Sequence, residues 1–313
     1  MKIILANPRG FCAGVNMAID CVDEVLKIKG APVYVFHEIV HNRHVVEDFR
    51  SRGVKFVEDL ADVPVGGVLV YSAHGVSPEV RKVAKERSLV EVDATCPLVT
   101  KVHLEVLKFA REGYRIVFIG HKNHDEAVGT VGEAPGAITI VETEEDVAAL
   151  EVPDGEKVAY VTQTTLSVAD AGRLIAALKK KYPKIKGPPK EDICYATTNR
   201  QAAVSEWSEE VEVVLVVGSQ NSSNSRRLVE TARELGREAH LIDDEAQLEP
   251  GWVEGRETVL ITAGASAPDH LVQGLVRRLE KEFGGVVETR NLVKEDVAFE
   301  LPRSLKRLAV VGK

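Results

Sequence analysis

The chain has 313 residues, enough for two or three domains, and its 44% hydrophobic and 28% charged content is that of a soluble globular protein with ample core. A net charge of −8 argues against a broad nucleic-acid surface, so an anionic ligand needs a local site. No apolar stretch approaches membrane-spanning length and "MKIILANPRG" turns polar too soon for a signal peptide, which predicts a cytoplasmic protein away from the membrane with reduced cysteines.

Along the chain, the first clear helical stretch is "AGVNMAIDCVDEVLKIKG", directly after Cys12. "VYVF" (33–36) reads as a buried strand leading to His37, Glu38, His41 and Asn42. "GVLVY" leads to Ser72, Ala73, His74 and Gly75, and a second helix, "PLVTKVHLEVLKFAREG", follows Cys96. "RIVFIG" leads to His121, Asn123, His124, Asp125 and Glu126, and "VAYV" leads to Thr162, Gln163, Thr164 and Thr165. After the connector "GPPK" (187–190), a third helix, "YATTNRQAAVSEWSEEV", follows Cys194. "VVLVVG" then runs into Ser219, Gln220, Asn221, Ser222, Ser223, Asn224 and Ser225, and "TVLIT" into Ala263, Gly264, Ala265 and Ser266. Beyond about residue 283 a short strand and an irregular tail are expected.

Val- and Ile-rich runs alternating with amphipathic helices predict an α/β protein with mostly parallel sheets. In such sheets ligands sit beyond the carboxyl ends of the strands, so six polar tips predict a site assembled from several sheets. The cysteines keep step with those tips: Cys12 to His41 is 29 residues, and both Cys96 to His124 and Cys194 to Ser222 are 28. We therefore expect three similar α/β modules, residues 1–95, 96–191 and 192–283, with a C-terminal tail over 284–313. Arranged around a pseudo-threefold axis, they would bring three cysteines to a central iron–sulfur site.

Three thiolates suit an iron–sulfur cluster, and a [4Fe–4S] cube held by three cysteines leaves one iron open. A three-cysteine zinc site and plain core packing are the alternatives, and no C-x-x-C pair is present. Cys21 lies half a helical turn away from Cys12 and is expected to pack. The Ser/Asn cluster is either a phosphate cradle without the lysine of a P-loop or a polar loop that caps a helix. Among the nine histidines, His41, His74 and His124 stand at module tips and His121 beside one, while His37, His44, His103, His240 and His270 read as ordinary. Glu126 is a functional acid or a first-turn acid favoured by the helix dipole. No G-x-G-x-x-G follows a strand, so electrons for a redox reaction must come from outside.

The segments "NPRGFCAGV" (7–15), "HEIVHN" (37–42), "SAHGV" (72–76), "DATCPLVTKVH" (93–103), "TQTT" (162–165), "ICYATTNRQ" (193–201), "GSQNSSNSRRL" (218–228) and "TAGASAP" (262–268) occur in order. Together they resemble the 4-hydroxy-3-methylbut-2-enyl diphosphate reductases, the terminal enzymes of the non-mevalonate isoprenoid pathway, from Met1 to about Pro302. One departure is Asp125, where that family more often has proline. The resemblance implies an oxygen-sensitive [4Fe–4S] cluster on Cys12, Cys96 and Cys194. It implies a diphosphate held by His41, His74, His124, Ser222, Ser223, Asn224 and Ser266; Asn42, Gln163 and Thr165 are further candidates as neighbours at the same tips. It further implies Thr164 near the substrate hydroxyl and Glu126 as proton source. The reaction so implied is a reductive dehydroxylation giving isopentenyl and dimethylallyl diphosphate, fed by a one-electron ferredoxin or flavodoxin. An iron–sulfur sensor without catalysis is the rival; it accounts for the cysteines and leaves the His and Ser/Asn tips unexplained.

Overall fold

The computed structural model describes residues 1–153 and 155–310. The chain opens with β1 (Lys2–Asn7), α1 (Ala13–Lys29), β2 (Val33–Phe36), α2 (Arg43–Ser51), β3 (Val54–Val57), β4 (Val68–Tyr71), α3 (Pro78–Glu86) and β5 (Val90–Asp93). Next come α4 (Pro97–Arg111), β6 (Tyr114–Ile119), α5 (Asp125–Gly132), β7 (Ile138–Val141), α6 (Glu144–Ala149), β8 (Lys157–Thr162) and α7 (Val168–Lys181). The remainder is α8 (Tyr195–Ser208), β9 (Val213–Val217), α9 (Ser223–Glu234), β10 (Glu238–Ile242), β11 (Thr258–Ala263), α10 (Asp269–Phe283), β12 (Val286–Asn291) and α11 (Arg303–Val310).

The chain divides into two compact units. The first comprises Met1–Val15, His41–Asp48 and Tyr195–Ala298, and holds a five-stranded sheet in the order β10-β9-β11-β1-β12. The second comprises Asn16–Val40, Phe49–Cys194 and the chain from Phe299, and holds two sheets, β3-β2-β4-β5 and β7-β6-β8. Every strand pairing described is parallel, as the uninterrupted apolar runs predict.

The first unit shows why β9 is five β-branched and leucine residues without a polar break. Val213, Leu215 and Val217 enter one hydrophobic cluster with Ile3, Leu5 and Leu275, whereas Val214 and Val216 enter another with Ile4, Trp207 and Leu228. Both faces of the strand are covered, so alternation would leave a polar group buried. Truncating Leu215, wholly buried, would cost about 2–5 kcal/mol through lost transfer energy and a cavity. The three-stranded sheet repeats the device, with Val117 and Ile119 on one side and Ile116 and Phe118 on the other.

All three sheets share one internal plan. Leaving aside β1 and β12 of the five-stranded sheet, the first strand of each (β2, β6, β9) lies between the second (β3, β7, β10) and the third (β4, β8, β11), so each sheet has a reversal of winding between these first and third strands. A crevice opens at such a reversal. The same backbone bonds recur there: His37, Gly120 and Gly218 each donate an N–H to the end of the second strand, at Val57, Val141 and Ile242. The six polar tips expected from the sequence are the tips of these first and third strands. Where an irregular tail was expected, α11 forms, because Leu305 and Leu308 stand three residues apart on one helical face and are both buried.

Candidate active site

In the first unit the reversal lies between β9 and β11, and the Ser/Asn cluster fills it. Ser222 is the N-cap of α9 and its side chain accepts from the Ser225 N–H at 3.3 Å. Ser222 Oγ stands 3.4 Å from Ser266 Oγ, which donates to the His41 carbonyl at 2.9 Å. Asn224 is held at both ends, its amide donating to Thr197 Oγ1 at 3.2 Å and its oxygen accepting from Ala265 N–H at 2.9 Å. Ser222, Ser223, Asn224 and Ser266 are all buried. The two glycines that end the strands are needed for Ser225: a Cβ on Gly218 would meet its Oγ at 2.2 Å, and one on Gly264 at 1.9 Å. The result is a set of fixed hydroxyls and an amide at a helix N-terminus, whose exposed N–H groups and dipole favour an anion.

The second unit contains two reversals. Between β6 and β8, Glu126 sits in the first turn of α5 and is 1% exposed. One carboxylate oxygen accepts from Thr164 N–H at 2.7 Å and the other from Thr164 Oγ1 at 2.9 Å. Burial pushes the carboxyl up to about 7; the two Thr164 bonds oppose that rise and the charge of Asp192 adds to it. Glu126 is therefore an acid poised near neutrality. His124 is the N-cap of the same helix, its Nδ1 accepting from Glu126 N–H at 3.2 Å. With Nδ1 an acceptor, the neutral ring carries its proton on Nε2, where it can donate to a ligand. Gln163, wholly buried, accepts from His121 N–H at 3.0 Å and donates to Thr165 Oγ1 at 3.1 Å, tying the two tips together.

Between β2 and β4 stands His74, whose ring meets that of His124 edge-on at 5.7 Å between centroids. Asp125 lies beside this pair, 3.9 Å from His74 Nδ1 and 3.5 Å from His37 Nδ1. Asp125 is the first residue inside the α5 cap, a position that also accepts proline, so the departure noted in the sequence leaves the helix start intact and adds a carboxylate facing two imidazoles.

The cysteines occupy equivalent places. Cys12, Cys96 and Cys194 each immediately precede a helix (α1, α4 and α8). Each donates its N–H to the carbonyl two residues beyond a third strand: Cys12 to Ala265 after β11, Cys96 to Ala73 after β4, and Cys194 to Thr164 after β8. None of the four cysteines is in a disulfide, and these three are partly exposed. Cys21 differs on every count: it is fully buried within α1, and burial, then the charge of Asp93, push its thiol up to about 12. It packs, as expected. Three matching half-exposed thiols, with the buried fourth held back from deprotonation, fit an iron–sulfur group as donor set.

Sequence reasoning missed what steadies Cys12. Arg200 on α8 is wholly buried and donates to the Gly10 carbonyl through Nε at 3.2 Å and Nη2 at 2.7 Å. Glu295, in the coil after β12, balances that charge at 3.1 Å. Tyr195 Oη accepts from Ala13 N–H at 3.2 Å, so α8 grips the cysteine turn on both sides. Gly10 itself adopts φ +65°, where other residues are strained. No local signal marks this clamp, since its partners stand 95 and 190 residues from Arg200.

Comparison with known proteins places this geometry. A family model described as LytB protein matches residues 3–280. The chain belongs to that family. A protein of Rhodopirellula baltica named 4-hydroxy-3-methylbut-2-enyl diphosphate reductase is 56% identical over 309 residues, covering 99% of this chain and 97% of the relative. One of the same name from Methylococcus capsulatus is 54% identical over 312 residues, covering 98% and 99%. The solved structure of the E-1-hydroxy-2-methyl-but-2-enyl-4-diphosphate reductase of Plasmodium falciparum superimposes with a TM-score of 0.97 at 41% identity, covering 99% of this chain and 98% of that one. A second solved reductase, described as the terminal enzyme of the non-mevalonate pathway, is 33% identical with a TM-score of 0.64 and covers 90% of this chain and 100% of that one. Among the described residues no helix is long and apolar enough to cross a membrane.

Proposed function

We infer that the chain is a 4-hydroxy-3-methylbut-2-enyl diphosphate reductase, converting its allylic substrate to isopentenyl and dimethylallyl diphosphate as the last step of the non-mevalonate pathway. One observation carries the chemistry: a buried carboxyl, raised to about 7 and clasped by Thr164, stands at a strand tip of a sheet that also presents a cysteine turn. Relatives of that name matched over nearly their whole length support the substrate and the reaction.

Cys12, Cys96 and Cys194 would hold a [4Fe–4S] cluster. When bound, such a group supplies electrons and Lewis acidity. The diphosphate falls to His41, His74, His124, Ser222, Ser223, Asn224 and Ser266, with Thr165 beside them. Fixed hydroxyl and imidazole donors suit that role, because they need no reorganisation when the anion arrives. Thr164 Oγ1 orients the allylic hydroxyl and shares it with Glu126, which hands its proton to the departing oxygen. Hydroxide is a poor leaving group, so this transfer is worth about 10²–10⁴ in rate. The electrons arrive one at a time from a ferredoxin or flavodoxin: no dinucleotide fingerprint follows a strand, and once three cysteines are committed the fourth is buried alone. Work in the cytoplasm fits thiols kept reduced. A sensor without catalysis would give no reason for a buried acid matched to neutral pH.

Anaerobic purification, iron and sulfide analysis, and turnover of the substrate with reduced methyl viologen test the reading. Brown protein with about four irons per chain that oxidises the viologen and yields both products is expected. Colourless protein inert toward the substrate would refute it.

A further inference from the structure

The helix that follows Cys96 leaves one long face uncovered. Pro97, Leu104 and Lys108 lie along that face of α4 and, with Pro189 and Arg303, line a groove of about 830 Å³. Leu104 is 59% exposed and supplies the apolar part of that lining together with Pro97 and Pro189. The groove ends on the residues either side of the cysteine, since Thr95 and Pro97 both line it. Its opposite wall, Pro189, belongs to the segment that runs to Cys194. This surface therefore leads to two of the three cysteine turns, and electron transfer weakens steeply with distance.

The charges of the groove run against those of the whole protein. Overall the chain carries −8, yet Lys108 and Arg303 are exposed cations of the lining. Arg303 is brought here by α11, whose next residue, Ser304, accepts through its hydroxyl from Asp93 N–H at 3.3 Å. The lining has one acid, Glu105, and it is paired with Lys101 at 3.5 Å, with burial and then a hydrogen bond with Asp192 pushing its carboxyl up to about 7. Lys101 is engaged by Asp192 at 2.8 Å and by the carbonyls of Lys190 and Glu191. An acidic protein, disfavoured by the net charge of −8, meets cations at this apolar strip. Electron-transfer partners favour small, transient contacts of this kind.

We propose that the α4 groove is the docking site of the electron donor, a small acidic one-electron carrier protein. The assignment rests on the reductase reading above. In each turnover two reduced carriers are oxidised, two protons are taken up, the allylic C–O bond breaks, and the hydroxyl leaves as one water. The carrier is held through Leu104, Lys108 and Arg303.

The test separates docking from chemistry by using two reductants on the same holoenzyme. The double variant Lys108→Glu/Arg303→Glu, and separately Leu104→Ser, are assayed with an acidic [2Fe–2S] ferredoxin kept reduced by NADPH and its reductase. They are assayed again with dithionite-reduced methyl viologen, which needs no docking site. The expected result for the charge-reversed protein is a ferredoxin KM raised about 10-fold, with its dependence on salt flattened, and viologen-driven kcat unchanged. Leu104→Ser should raise the ferredoxin KM with its salt dependence retained. An unaltered ferredoxin KM in both variants would overturn the proposal, as would parallel losses with the two reductants. Failure of the underlying reading shows separately, as a parent protein that does not reduce the substrate even with viologen.

Discussion

Replacing Glu126 by glutamine should separate catalysis from stability. Burial lifts this carboxyl from an ordinary 4.5 to about 7, which at ~1.36 kcal/mol per pH unit corresponds to about 3 kcal/mol. The folded protein holds the proton more tightly than the unfolded chain does. Glu126 thus favours folding fully below about pH 4.5, and that contribution fades as pH rises through 7. At pH 8 the parent carries a buried carboxylate and Glu126→Gln does not. The amide keeps an oxygen for Thr164 N–H, so the variant should be the more stable protein at pH 8, by up to about 3 kcal/mol, with the gap closing toward pH 5. Urea denaturation at several pH values, under anaerobic conditions, measures this. Turnover with reduced viologen should meanwhile fall about 10²–10⁴-fold. A variant with near-normal turnover, or a stability difference that does not vary with pH, would refute the argument.

Three further outcomes follow from the site. Gly264→Ala puts a methyl against Ser225 Oγ and should cost about 1–3 kcal/mol, partly recovered by adding Ser225→Ala; strictly additive denaturation midpoints would contradict the contact. In metal-stripped protein at pH 8, iodoacetamide should alkylate Cys12, Cys96 and Cys194 and spare Cys21, whose thiol at about 12 leaves roughly one molecule in 10⁴ as thiolate; peptide mass mapping that finds Cys21 modified in the folded state would contradict this. Glu295→Gln removes the partner of a wholly buried arginine and should cost about 3 kcal/mol while lowering bound iron per chain, and an unchanged melting temperature and iron content would show that the clamp is idle.

The parallel architecture was legible because strands covered on both faces must be continuously apolar and must stop where solvent begins. "VVLVV" therefore announced β9, and the polar residues after it announced the tip. The first and third strand of every sheet share that signature. The second strands do not: β3 is exposed at Lys55, and β10 opens on exposed Glu238, so they could be read only as a strand between helices. Glu126 and Thr164 could be named as tip residues, yet the bond between them joins a helix turn to a strand tip 38 residues away and is invisible to local pattern. The same holds for Arg200 and Glu295, and for Lys2–Asn7, whose neighbours β11 and β12 lie at the other end of the chain. Spacing reports periodicity within an element, whereas partners across a sheet are set by topology.

The place of β1 has a consequence for biogenesis. The ribosome makes this strand long before its partners, and the sheet that receives it is incomplete until β11 and β12 have emerged. Cys12, whose N–H is tied to Ala265 beyond β11, is thus translated earliest of the cysteines and secured last. A nascent polypeptide stalled before β11 therefore exposes an unanchored thiol to oxidation.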